Sequence, residues 1–102
     1  MTVSIIIAVK ACCENLGECV SRCLELKFGD FEIIILPDSS FPAEGVFSSP
    51  KIRIIPTGDV TPPFKRDIGA RQAKAEIIAF LDDDAYPDKE WLSQAIKIFN
   101  ED

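Results

Sequence analysis

Three consecutive carboxylates, Asp82, Asp83 and Asp84, follow directly on the apolar run Ile77-Ile78-Ala79-Phe80-Leu81. Like charges this close repel one another, and a cation relieves the repulsion. A hard divalent ion suits such oxygen ligands, and one that bridges phosphates needs only one or two protein carboxylates. Asp82 and Asp84, with Asp83 between them, are therefore candidates for ligating a metal and accepting a hydrogen bond from a sugar hydroxyl. The same triplet also suits a solvated acidic turn ahead of a helix capped by Asp88. Asp38 follows a second apolar run, FEIIILP. There a carboxylate either closes an Asx-turn with Ser39 or Ser40 or accepts hydrogen bonds from a base or ribose. Lys65, Arg66 and Arg71 share one expected helix. Such charges usually form its wet face, and Arg66 is the one placed to reach phosphates or the aspartates. Gly69, in mid-helix, costs about 1 kcal/mol against Ala, which points to close packing or ligand approach there.

Cys12, Cys13, Cys19 and Cys23 crowd into one short stretch, and the chain contains no histidine. Zinc sites draw paired ligands from two separated knuckles, and no second cluster exists. Cys19 and Cys23 lie four apart on one helical stripe and read as small reduced hydrophobes.

The elements that must position these residues follow from periodicity. Val3 to Val9 and Phe31 to Leu36 are continuous β-branched runs without alternation, the pattern of parallel strands covered on both faces. Between them a helix is expected from Leu16 to Lys27, capped by Asn15 with Glu18 completing a capping box and Gly29 ending it. Its buried face is Leu16, Cys19, Val20, Cys23 and Leu24. Residues 41–50 read as an irregular connection. A third strand is expected over Ile52 to Ile55, and a helix from Thr61-Pro62 to Lys74 or Ala75. A fourth strand runs from Glu76 to Leu81. Asp88 then caps a last helix with Leu92, Ala95, Ile96 and Phe99 on one face. The whole reads as one wound α/β domain over residues 1–102, a mainly parallel four-stranded sheet of order 3-2-1-4 with helices on both faces. Right-handed crossovers leave few other topologies. Sheets of this kind bind ligands beyond the carboxyl ends of their strands, where strand order reverses. Asp38 and the triplet flank that crevice.

The net charge of −6 argues against nucleic acid or an anionic membrane as partner, since both call for clustered Lys and Arg. No apolar run approaches the roughly 18 residues of a membrane span. A cytoplasmic domain is expected, or a piece of a longer protein at the cytoplasmic face of a membrane.

The stretch KRDIGARQAKAEIIAFLDDDAYP, Lys65 to Pro87, resembles family-two glycosyltransferases. Their corresponding segment reads Ala-Arg-Asn-Xaa-Gly, then an Ala-rich helix, then a Glu-led strand into Asp-Xaa-Asp. Arg66, Gly69, Glu76, Phe80 and Asp82 to Asp84 match it in spacing, and Asp67 stands where Asn is usual. VSIIIAVK and FEIIILPDSS resemble the family's first two strands. Departures occur at Ala8-Val9-Lys10-Ala11, where Pro-Thr-Tyr-Asn is usual, at Pro37 in place of an Asp, and at Ala75 in place of a Gly.

The resemblance implies a truncated GT-A, Rossmann-like fold that binds a nucleoside diphosphate sugar with Mn²⁺ or Mg²⁺. Ala8 and Val9 would border the base and Asp38 contact the base or ribose. Arg66 would meet the diphosphate and Asp83 the ribose or donor sugar. Asp84 would ligate the metal, with Asp82 facing the sugar or the metal's waters. The general base is expected beyond Asp102, so the chain would bind donor without transferring it to its unknown acceptor. A second reading is a non-catalytic nucleotide-binding or interaction module of the same fold; a third is a receiver-like domain. The bare edge Glu76 to Leu81 invites a homodimer.

Overall fold

The computed structural model describes residues 3–26, 29–92 and 94. Ala95, Ile96 and Phe99 of the expected last helix, and Lys27 at the expected end of the first, lie outside them. The described elements are β1 (Val3–Ala8), α1 (Glu14–Leu24), β2 (Phe31–Leu36), a 3₁₀ turn (Gly45–Ser48), β3 (Ile52–Ile54), α2 (Pro62–Gln72) and β4 (Ile77–Asp82). All strand pairings are parallel and the order is β3-β2-β1-β4, as the sequence predicts.

The β-branched runs become the two central strands because both their faces are covered. The β1 residues Val3 to Ile7 and all of β2 are buried. On one face α1 lays Leu16, Cys19, Val20 and Cys23 against Ile5, Ile7, Ile33 and Ile35, and Leu92 joins them from the carboxyl-terminal end. On the other face Ile6, Ile34 and Leu36 pack with Ile68 of α2. Here Gly69 has its explanation. A Cβ at that position would lie 2.6 Å from Ile6 Cγ2 and 3.0 Å from Leu36 Cδ1, so the helix sits on the sheet at a distance only Gly allows.

Several expected boundaries shift. Helix α1 begins at Glu14, with Cys13 as its cap residue and no side-chain cap bond. The Cys13 carbonyl accepts the Gly17 N–H at 3.1 Å, which places Asn15 inside the first turn. Glu18, released from the capping box, pairs with Arg22 at 3.0 Å. Helix α2 stops at Gln72, short of Lys74, because the next backbone donors are claimed by the sheet. The Lys74 N–H donates to Glu32 Oε2 at 2.8 Å and the Ala75 N–H to Ser4 Oγ at 3.2 Å. Ser4 in turn donates to Glu32 at 2.6 Å. Buried Glu32 and Ser4 thus tie the end of α2, and the start of β4, to the amino-terminal end of the sheet.

Candidate functional site

At the opposite, carboxyl-terminal end a cleft of about 520 Å³ opens between β1, β2 and α2. Its walls are Ala8, Val9 and Lys10 at the end of β1, Asp38 after β2, the 59–62 loop, Lys65 of α2, and Asp83 after β4. The loop is held there by the β2 strand. The N–H groups of Ile55, Thr57 and Gly58 donate in succession to the carbonyls of Ile35, Pro37 and Asp38, at 2.8, 2.9 and 2.9 Å. Gly58, at φ 81°, then turns the chain toward α2; that left-handed conformation strains any residue with a Cβ.

Asp38 does not form the Asx-turn. Its Oδ1 lies 2.7 Å from Lys65 Nζ, and this ammonium also donates to the carbonyls of Val9 and Leu36, each at 3.0 Å. Lys65 is 3% exposed, so reading it as part of a wet helix face is corrected. The available signal was its spacing from Gly69: residues four apart share a helix face, and Gly69 belonged to the sheet-facing one.

The triplet divides in two directions. Asp83 faces the cleft, with its Oδ2 3.9 Å from the Cys13 thiol. Asp82 closes β4 opposite Ala8, and its side chain is 74% exposed and 3.7 Å from Arg66 Nη2. Asp84 is exposed and stands outside the cleft lining. The Ala85 N–H donates to the Asp82 carbonyl at 3.1 Å and turns the chain sharply at the triplet. The segment beyond is fastened to α1, where Tyr86 donates to Asn15 Oδ1 at 3.2 Å and Arg22 sits over the Tyr86 ring. Ala8, Val9, Asp38 and Asp83 therefore meet in one cleft, while Arg66 and Asp82 meet on its α2 side.

All four cysteines are free, Cys12 and Cys13 exposed and Cys19 and Cys23 buried. The Cys19 thiol approaches the Asp82 carbonyl at 3.5 Å. A hydrogen bond with Cys19 and burial together push the Cys23 thiol above its ordinary range, which keeps it protonated and inert. Among the described residues no three His, Cys, Asp or Glu side chains gather as a ready-made metal cage.

The parallel order, the helices on both faces and a cleft at the carboxyl ends of the strands define a wound α/β protein, and its likeness to solved structures makes the fold GT-A in type. The chain matches Glycosyl transferase family 2 over residues 4–102, and it belongs to that family. It is similar to S. aureus TarS 1–349, with a TM-score of 0.85 and 23% identity over 99% of this chain and 33% of that 1–349 chain. Against the same protein in complex with UDP-GlcNAc the TM-score is 0.75 at 22% identity, over 99% of this chain and 32% of that one. The mannosyltransferase PcManGT from Pyrobaculum calidifontis, in complex with GDP-Man and Mn²⁺, gives 0.78 at 18% identity over 93% and 31% of the two chains. The chain thus spans about a third of the length of these structures. No curated protein matches it. None of its described helices is long and apolar enough to cross a membrane.

Proposed function

We propose that the chain is the donor-binding part of a glycosyltransferase and takes a nucleoside diphosphate sugar into the cleft between Asp38 and Asp83. The observation that carries this reading is their convergence: two carboxylates from different strand ends face one cleft, in a chain of this family. Asp38 accepts a hydrogen bond from the base or ribose, against a wall formed by Ala8 and Val9. Asp83, on the far side, accepts from a hydroxyl of the ribose or donor sugar. Arg66, partly exposed beside Asp82, is available to the diphosphate.

A divalent ion, Mn²⁺ or Mg²⁺, fits the chemistry of the triplet. The carboxylates of Asp82 and Asp84 are exposed rather than enclosed, as suits an ion whose remaining ligands are phosphate and water. Asp84 would be its ligand, with Asp82 beside it, and the ion would supply charge neutralisation for the leaving diphosphate. This chain's residues bind and orient the donor. Asp38, Asp82, Asp83 and Asp84 are committed to donor or ion, which leaves Asp59 of the 59–62 loop as the one other carboxylate among the described residues of the cleft. Taking a proton from an acceptor hydroxyl needs a base within about 2.6–3.2 Å of it. The chain by itself is expected to bind donor without acceptor-dependent transfer; such turnover at ordinary enzymatic rates would refute the division of roles and point to Asp59 as the base.

The direct test is thermal. Ligands of the native state raise the melting temperature by mass action, so UDP or GDP should do so here, and more strongly with Mn²⁺. Asp84→Ala should abolish the Mn²⁺ increment and Asp88→Ala should keep it. An equal increment in wild type and Asp84→Ala would show that the ion sits elsewhere. A nucleotide response indifferent to Mn²⁺ throughout would favour the second reading, a nucleotide-binding module without chemistry.

A further inference from the structure

Lys65 has no role in the account above, yet it is the buried charge nearest the cleft. An ammonium carries three N–H donors, and three acceptors surround this one: the carbonyls of Val9 and Leu36 at 3.0 Å and the carboxylate of Asp38 at 2.7 Å. Burying a cation is unfavourable unless it is paired and fully hydrogen-bonded. A methionine on this helix face would pack beside Gly69 without that penalty. Packing therefore does not account for the charge, and its three contacts converge on the cleft.

The contacts also differ in what they fix. The backbone of Asp38 is already pinned on both sides, its N–H to the Lys10 carbonyl at 3.0 Å and its carbonyl to the Gly58 N–H at 2.9 Å. The direction of the carboxylate then depends only on its side-chain torsions, and Lys65 sets those. The two carbonyl contacts lock the ends of β1 and β2, where Val9 and Asp38 enter the cleft wall. Arg66, the next residue, is turned to Asp82 and the outer side, so the two neighbouring cations serve different carboxylates.

We propose that Lys65 is a positioning residue for nucleotide binding that acts through Asp38. Its ammonium holds the carboxylate at the angle in which it receives a donor hydrogen from the nucleoside, and holds both strand ends that frame it. The inference rests on the proposed donor-binding function.

The test is calorimetric titration of the full chain with UDP and with GDP in the presence of Mn²⁺. Lys65→Gln keeps an N–H donor for the carbonyls and removes the charge. It and Asp38→Asn should each weaken the nucleotide that wild type binds by about tenfold or more, the size of a lost hydrogen bond to a charged group. The double variant should bind no more weakly than the weaker single one, because the two residues act as one unit. Val3→Ala, at the far end of β1, should lower the melting temperature and leave affinity unchanged. If Lys65→Gln does not fold, Lys65→Arg carries the same test. It retains the charge, but a planar fork does not reproduce three converging donors, so affinity should still fall.

Nitrogen-detected NMR gives a readout independent of nucleotide: the Lys65 ammonium protons should exchange slowly and their signal should shift in Asp38→Asn. Affinity unchanged in a folded Lys65 variant, or losses that multiply in the double variant, would overturn the role of Lys65 while leaving the donor-binding function intact. Ammonium protons exchanging like those of a surface lysine would do the same. Wild type that binds neither nucleotide would overturn the donor-binding function itself, and the role of Lys65 with it.

Discussion

At the scale of single residues, the two ends of the sheet each hold one buried charge with a different task. Lys65 lies at the cleft end. Glu32, 2% exposed, lies at the other and joins Ser4, the Lys74 N–H and Arg53, the last at 3.2 Å. Burial pushes the Glu32 carboxyl up, but the hydrogen bonds from Ser4, Lys74 and Arg53 outweigh it and leave it below the ordinary carboxylate value. A carboxyl depressed in the folded state contributes stability above its unfolded pKa and loses it as pH falls through the folded one. Glu32→Gln should therefore cost about 1–3 kcal/mol at pH 7. The gap to wild type should narrow below about pH 4.5, where the unfolded carboxyl protonates. Urea melts at pH 7 and pH 4 check both parts, and a gap that stays constant with pH would deny Glu32 its charge. Neither residue was legible as a hub in the sequence. A lone Glu inside FEIIIL and a Lys among helix charges give no sign of their partners, which come from segments 21 to 56 positions away. Asp38 and the triplet were legible because each ends an apolar run, and a parallel sheet places all such ends on one side.

Among elements, the strands were easier to read than the helix ends, for a physical reason. A strand buried on both faces is apolar at nearly every position, Glu32 being the hydrogen-bonded exception in β2, and β2 coincides with its expected span from Phe31 to Leu36. A helix end is decided by whichever acceptor takes the next N–H, and the sequence near α2 does not show that Ser4 and Glu32 compete for it. The strand β4 marks the limit of the rule. Its residues alternate between half-buried and exposed, because α2 packs over β1 and β2 and leaves the adjoining face of β4 open. Caps show the same dependence on geometry. Thr61 precedes α2 in an extended conformation but makes no side-chain cap bond, whereas Asp88 Oδ1 accepts the Glu90 N–H at 2.8 Å. Thr61→Ala should then stay within about 0.5 kcal/mol of wild type, while Asp88→Ala should lose about 1 kcal/mol. Chemical melts of the two variants side by side decide it; equal losses would mean that residue type and not the observed bond sets the cap's value.

For the whole molecule the consequence lies at the edge of the sheet. Among the described residues the order β3-β2-β1-β4 gives β4 one hydrogen-bonded neighbour, β1. Its other side presents backbone donors and acceptors in a row, a template for pairing with another strand. Beside that row, on the face α2 leaves open, Ile78 is 37% and Phe80 52% exposed, and Phe64 of α2 is 56% exposed. An apolar face next to an open ladder offers both parts of a strand-to-strand contact, hydrogen bonds and area removed from water. Self-association of the chain through β4 is therefore expected, increasing with concentration. Phe80→Lys should weaken it, since a charge pointing from an edge strand opposes pairing and the exposed side chain contributes little to the fold. Sedimentation velocity across a wide concentration range makes the comparison. A wild type that stays monomeric at the highest concentration, or a Phe80→Lys variant that associates as strongly, would mean that the edge of β4 is not where copies of this chain meet.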